Sequence, residues 1–203
     1  MLNTDHLSKL GFFIAKGFLD NDLCAKSRSE MSLGSKIPAM VTSGKEEIIK
    51  DNIRRNKVVQ VSASTISFIK SRLLAIKPML EEHFNLSLTD CQEPQFLAYK
   101  QGDFFIFHSD RSDDPVKPEY VKARQISVVI FLNSATSEYE IDSYSGGSLK
   151  FYAYDIVSDP SLKKAGFSLS GETGLLIAFR SDIRHQVKTV TSGERFTIVS
   201  WFF

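Results

Sequence analysis

Cysteine is scarce in this chain: Cys24 and Cys91 are the only two among 203 residues, far apart and outside any Cys-x-x-Cys spacing. That argues against a disulfide scaffold or a zinc knuckle and leaves both as ordinary packing residues. Long apolar runs are lacking too. No segment approaches the ~20 residues needed to span a bilayer, and the opening "MLNTDHLSKLGFFIAKGF" has neither the basic start nor the long apolar core of a secretory signal. The expectation is a soluble, cytoplasmic protein with no membrane partner. Excess charge is also missing, with 25 Lys plus Arg against 24 Asp plus Glu. Without a global basic footprint, no nucleic-acid partner is expected. There is no repeat and no low-complexity tract, and the length suits a single domain with a sizeable core.

What is present divides into two halves. "GFFIAKGFL" reads as a short strand, and "DNDLCAKSRSEMSLG" as a helix capped by Asp20 and stopped by Gly34. "SGKEEIIKDNIRRNK", residues 43–57, is charged and aperiodic, so it reads as a mobile loop, either a lid or a solvated connector. Ile66, Ile69, Leu73, Ile76 and Leu80 recur at spacings of three and four and mark the apolar face of a helix beginning near Ser64. Pro78 predicts a kink or break near Lys77, because proline removes a backbone donor and crowds the preceding turn. His6 and His83, without partners at ligand spacing, read as surface residues.

From Gln95 onward short β-rich runs dominate: "QFLAY", "FFIFH", "QISVVIFLN", "GSLKFYA", "TGLLIAF", "HQVKTV" and "RFTIVSWFF". They are separated by Gly102, "SDDPVKP", "SYSGG", "DPSLKKAG" and "TSG". Strands at this density, with no helix-length insert, predict a mainly β protein of the sandwich or jelly-roll type with flanking helices.

"FFIFHSD" ends an apolar strand in His108 and Asp110, which at i and i+2 project to one face. His-x-Asp alone also fits a salt-bridged strand end, so a third ligand decides. The one histidine after position 110 is His185, at the start of a late strand. Two histidines and a carboxylate with open positions opposite make the facial triad of non-heme Fe(II) oxygenases. Ten residues on, Arg195 alternates with Thr197, Val199 and Trp201 on one face. On a strand adjacent to that of His185, its guanidinium would suit a dicarboxylate held by a planar fork. Taken alone, Arg195 also fits a surface salt bridge.

Tyr99-x-x-Gly102, Phe105, His108-x-Asp110, "RQISVVIFLN", "YSGG" and "HQVKTVTSGERFTIVSWFF" together resemble the catalytic domain of prolyl 4-hydroxylases and related Fe(II)/2-oxoglutarate dioxygenases. The resemblance covers residues 95–203 closely and the first half in outline. It implies a double-stranded β-helix in one domain, residues 1–94 supporting and 95–203 carrying the catalytic motifs. It implies Fe(II) on His108, Asp110 and His185, and 2-oxoglutarate with its distal carboxylate on Arg195. Tyr99 and Thr197 match positions near that co-substrate. Phe131 and Phe105 depart from the pattern, standing where relatives frequently carry tyrosine.

The activity implied is hydroxylation of an unactivated C–H, with O2 consumed and succinate and CO2 released, and with ascorbate as a possible auxiliary reductant. The substrate implied is a prolyl residue in a protein or peptide, with a free amino acid or small metabolite as the alternative. A non-catalytic jelly-roll binding module that keeps a metal is the alternative of another class. Arg124 reads equally as a substrate-side residue or a rim salt bridge, and Gly146 and Gly147 as a tight turn. Oligomeric state is not legible.

Overall fold

A computed structural model describes residues 10–138, 141–152 and 166–203. Its first half contains β1 (Phe13–Ala15), the helix Asn21–Leu33, β2 (Lys36–Pro38), β3 (Val41–Ser43), β4 (Glu46–Ile48), β5 (Arg54–Arg55), β6 (Lys57–Val59) and the helix Ala63–Phe84. Then come β7 (Gln95–Lys100), β8 (Phe104–His108), the short helix Glu119–Lys122, β9 (Ile126–Phe131), β10 (Tyr144–Gly146) and β11 (Leu149–Tyr152). Last are β12 (Gly166–Leu169), β13 (Leu176–Arg180), β14 (His185–Val187) and β15 (Val190–Phe202). The expected turn "DPSLKKAG" lies almost wholly outside the described residues, as do His6 and Ala153.

All of these strands except β3 and β4 form a jelly roll of two sheets. The larger runs β1-β13-β9-β15-β7-β6-β2 with β10 added on β15, and the smaller runs β12-β11-β14-β8-β5. Alternation along the larger sheet explains why β9 is buried at every position. Ile126, Val128 and Ile130 join Cys24, Met31, Ile69, Leu73 and Leu80 in a core beneath the two long helices. Val129 and Phe131 face the other way, meeting Leu149, Phe151 and Val187 of the smaller sheet. A strand covered on both faces reads as one continuous apolar run, which is what "ISVVIF" is.

Both helix starts are set by side-chain caps. Asp20 accepts the backbone N–H of Leu23 at 2.8 Å, and Ser62 accepts that of Thr65 at 3.3 Å. Gly34 ends the first helix in extended backbone, where a Cβ would stand 2.1 Å from the Gln60 carbonyl oxygen, so the demand there is for space.

Four expectations are corrected. The second helix does not break at Lys77 but runs through Pro78 to Phe84. Ile69, Leu73 and Leu80 anchor it on both sides of the proline, and Leu74, whose carbonyl loses its donor, is on the exposed side where water can replace it. Residues 43–57 are not a loop. β3 and β4 form a hairpin about Gly44, β5 pairs with β8, and β6 joins β7. β3, β4 and β5 are polar strands in a lone hairpin or at a sheet edge, so no apolar periodicity marks them. "TSG" is not a break, because β15 continues through Gly193. His83 is not at the surface but half-buried between the rings of Phe13 and Phe84, with Nε2 sealed from solvent and unpartnered.

Candidate metal and co-substrate site

Pairing between β8 and β14 sets His108 directly opposite His185. Each ring is fixed by its own strand: Nδ1 of His108 lies 2.7 Å from the Ile106 carbonyl oxygen and Nδ1 of His185 lies 3.0 Å from that of Ile183. With the proton on Nδ1 donated to a carbonyl, each Nε2 keeps its lone pair for a cation. Asp110, just beyond β8, lies between them. Its Oδ1 is 3.6 Å from His108 Nε2 and its Oδ2 is 3.7 Å from His185 Nε2. Those gaps are too long for hydrogen bonds and are sized for a shared ion; one ligand atom from each residue lies within 4.8 Å of the others.

Electrostatics prepare the same group. Burial pushes His185 down to about 4, with the nearby His108 adding to the shift. Burial alone would raise Asp110, but the neighbouring imidazoles and Arg124 hold it well below the usual carboxylate range. At neutral pH His185 is therefore neutral and Asp110 ionised, the states that a divalent cation requires of its ligands.

The carboxylate is oriented from behind by residues that spacing could not reveal. Ser127 Oγ donates to Asp110 Oδ2 at 2.7 Å and stands 2.9 Å from Ser181 Oγ, both serines being buried. The Ser181 carbonyl accepts the backbone N–H groups of Asp110 and Arg111. Each serine lies in or beside a strand that sequence reading took as apolar packing, so only the assembled fold brings them to Asp110.

The triad opens onto a cavity of about 580 Å³ that is also lined by Tyr99, Arg195, Thr197, Val199 and Trp201. The alternating face expected for β15 is thus the face turned inward. Arg195 reaches it by a different route from the one expected. It belongs to the larger sheet and His185 to the smaller, so their strands are not neighbours, and the two face the cavity from opposite sheets.

Only 1 % of Arg195 is exposed, which overturns a surface salt bridge. Nη1 donates to Thr197 Oγ1 at 3.3 Å, and the guanidinium carbon lies 5.0 Å from the centre of the Tyr99 ring and 5.2 Å from that of Phe131. Its Nε is buried without an acceptor, and among the described residues no carboxylate pairs with it. A buried guanidinium lacking a counter-charge costs several kcal/mol unless an anion joins it, on the order of the penalty for any unpaired buried ion. The residues therefore fit a metal at one point of the cavity and an anionic group at another.

Toward the mouth, Phe105 stacks on His108 with ring centres 3.5 Å apart. Arg124 is held by Gln92 and the Asp110 carbonyl, 3.7 Å over the Trp201 ring, and lines the cavity; no carboxylate pairs with it among the described residues. Residues from the first half close the mouth. Thr42 and Glu47 of the hairpin line it together with Arg54, whose guanidinium lies over Phe105. The hairpin is tied across the opening by Lys117 Nζ to the Thr42 carbonyl at 2.6 Å and by Tyr120 Oη to Glu47 Oε1 at 2.7 Å.

Comparison with known proteins gives a family and a fold. Residues 94–203, more than half of the chain, match the model of the 2OG-Fe(II) oxygenase superfamily. A PKHD-type hydroxylase of Shewanella oneidensis is 29% identical over 152 residues, covering 75% of this chain, and the chain spans only 59% of that relative's length. Another from Shewanella sp. (strain MR-4) is 29% identical over 175 residues, 86% of this chain and 70% of the relative. Among solved structures, a Pseudomonas putida prolyl-4-hydroxylase superposes with a TM-score of 0.70 at 21% identity, covering 98% of this chain and 95% of that one. A Trichoplax adhaerens prolyl hydroxylase, in complex with a hypoxia inducible factor oxygen degradation domain peptide fragment, gives a TM-score of 0.70 at 19% identity over 98% and 86%.

Proposed function

Since the chain belongs to the 2OG-Fe(II) oxygenase superfamily, we propose that it hydroxylates an unactivated C–H bond at the cavity described above. Fe(II) held there would supply, with 2-oxoglutarate and O2, the oxidising chemistry that releases succinate and CO2 and places one oxygen atom in the substrate. The observation that carries the reading is the pairing of a His-Asp-His cluster with a buried, acceptor-less guanidinium in one cavity. A metal-keeping binding module would need the first and has no use for the second.

The roles follow from position. His108, Asp110 and His185 hold the metal on one side, leaving its other side to the cavity. Arg195 binds the distal carboxylate of 2-oxoglutarate, and Thr197 fixes the guanidinium. Tyr99 and Phe131 flank that guanidinium with apolar surface, which strengthens the ion pair by excluding water. Phe105 covers one face of His108.

The substrate proposed is a prolyl residue of a peptide or protein, supported by the likeness to hydroxylases whose names specify proline. A free amino acid or small metabolite is the second reading, favoured by a cavity volume within the range of small-ligand sites. The whole chain is proposed as one catalytic domain, although residues 1–94 supply sheet strands and cavity walls in addition to support. A cytoplasmic location and ascorbate as auxiliary reductant complete the proposal; the two free, buried thiols suit a reducing compartment.

The experiment is Fe(II)-dependent formation of succinate from 2-oxoglutarate, followed by mass spectrometry of peptide and amino-acid mixtures for a gain of one oxygen. Oxygen gained by prolyl peptides alone supports the first reading, and oxygen gained by free amino acids the second. If Fe(II) yields no succinate, neither stands.

A further inference from the structure

Arg195 is not the one unsatisfied donor in its neighbourhood. Tyr144 opens β10, which pairs with β15 in such a register that Tyr144 stands opposite Gly193, two residues before Arg195. Its side chain is 1 % exposed, and its hydroxyl is buried without a hydrogen-bond partner. Burial raises the phenol above its ordinary value, so it is protonated and available as a donor. The groups that act on the hydroxyl, the Arg195 guanidinium and the backbone N–H of Gly171, are both donors, so neither can accept its proton.

The glycines around it keep this arrangement open. A Cβ on Gly171 would stand 2.2 Å from the Tyr144 hydroxyl and 2.6 Å from the Phe131 ring, and one on Gly147 would stand 3.0 Å from Arg195 Cδ and 3.1 Å from Tyr144 Cε2. Two adjacent buried groups, an Nε–H and an O–H, each lack an acceptor. A buried donor left without an acceptor is costly, and a single acceptor with two oxygens would relieve both.

We propose that Tyr144 is a second donor to the distal carboxylate of 2-oxoglutarate, so that this carboxylate is held by a phenol and a guanidinium together. The inference rests on the co-substrate reading above. It assigns the hydrogen bond to β10, because Phe131, which flanks the guanidinium, has none to offer. Tyr144 is not among the residues that line the cavity in the ligand-free chain. A small shift of the ring, or of the guanidinium toward the ligand, therefore accompanies binding.

The test is calorimetric binding to the Mn(II)-loaded full chain under nitrogen, with 2-oxoglutarate and with 2-oxobutanoate, which chelates alike but lacks the distal carboxylate. Tyr144→Phe is expected to weaken 2-oxoglutarate about tenfold, the loss of one charge-assisted hydrogen bond, and to leave 2-oxobutanoate unchanged. The ligand-free variant should melt no lower than the wild type, because the deleted hydroxyl had no partner to lose. Unchanged 2-oxoglutarate affinity, equal weakening of both acids, or a lower melting temperature would each overturn the proposal. If the wild-type chain itself fails to prefer 2-oxoglutarate over 2-oxobutanoate, it is the co-substrate reading that fails.

Discussion

At its buried end the cavity is walled by strands with hydrogen-bonded neighbours on both sides: β7 carries Tyr99, and β15, between β7 and β9, carries Arg195 and Thr197. At its mouth it is walled by the β3–β4 hairpin, which pairs with itself alone, and by Arg54 of β5, at the edge of the smaller sheet. Arg195, Thr197 and Tyr99 are at most 2 % exposed, while Met40 at the mouth is 39 % exposed. Under the proposed function, the difference would separate two requirements. A charged fork and a metal must be held before reaction, and only strands locked on both edges hold them without reorganisation. Substrate recognition tolerates exposed, polar, edge-strand walls, which can vary without disturbing the core.

The comparison breaks most severely at the triad. His108→Ala or His185→Ala should abolish Fe(II) binding and succinate formation while the fold persists, as checked by metal analysis and circular dichroism. Asp110→Gly should be nearly inactive. Next comes Arg195→Lys, which keeps the charge but loses the planar fork. It should weaken 2-oxoglutarate by about 1.5–3 kcal/mol, read as a raised KM, with the KM of the primary substrate unchanged. An unaltered 2-oxoglutarate KM would move that contact to another residue.

Ser127→Ala tests the layer behind the ligands. Losing the 2.7 Å bond that fixes Asp110 should lower metal affinity by about 10- to 100-fold without changing the ligand set. The mouth should behave differently. The double variant Lys117→Ala, Tyr120→Phe cuts both hairpin ties, and at about 0.5–1.5 kcal/mol per bond it should raise the KM of the primary substrate several-fold. Succinate release without substrate should stay constant, and a parallel fall in that release would show the hairpin to be part of the chemical end.

The smallest effect lies away from the cavity. Burial lowers His83 below its ordinary value, so the folded state binds fewer protons there than the unfolded chain. Its contribution to stability is present above the unfolded value of about 6.5 and is lost as pH falls toward the folded one. Denaturant unfolding at pH 7.5 and 5.5 should show a steeper loss in the wild type than in His83→Phe; equal slopes would remove His83 from the acid response.

The legibility of the sequence followed the same division. That His108, Asp110, His185 and Arg195 converge on one cavity was readable because chemistry-bearing residues stand out against apolar runs, and β9 was readable because a doubly covered strand is apolar throughout. Residues 43–57 were not, because strands held by backbone pairing and by Arg54 and Arg55 over Phe105 and Phe104 carry no apolar period. Ser127, Ser181 and Tyr144 were hidden for another reason. Serine and tyrosine inside apolar runs or beside a glycine turn gain meaning only from what the fold puts opposite them. The same limit set His185 and Arg195 on neighbouring strands, when it is the facing of two sheets that brings them to one cavity.

The central claim is that one cavity holds a metal on His108, Asp110 and His185 and a dicarboxylate on Arg195. Anomalous diffraction from crystals grown with Mn(II) and 2-oxoglutarate under nitrogen tests it most directly. The account predicts a single metal bonded to His108 Nε2, an oxygen of Asp110 and His185 Nε2, with the 2-oxo acid chelating it and the far carboxylate against the Arg195 guanidinium. A metal bound elsewhere, or a 2-oxoglutarate whose far carboxylate lies away from Arg195, would contradict it.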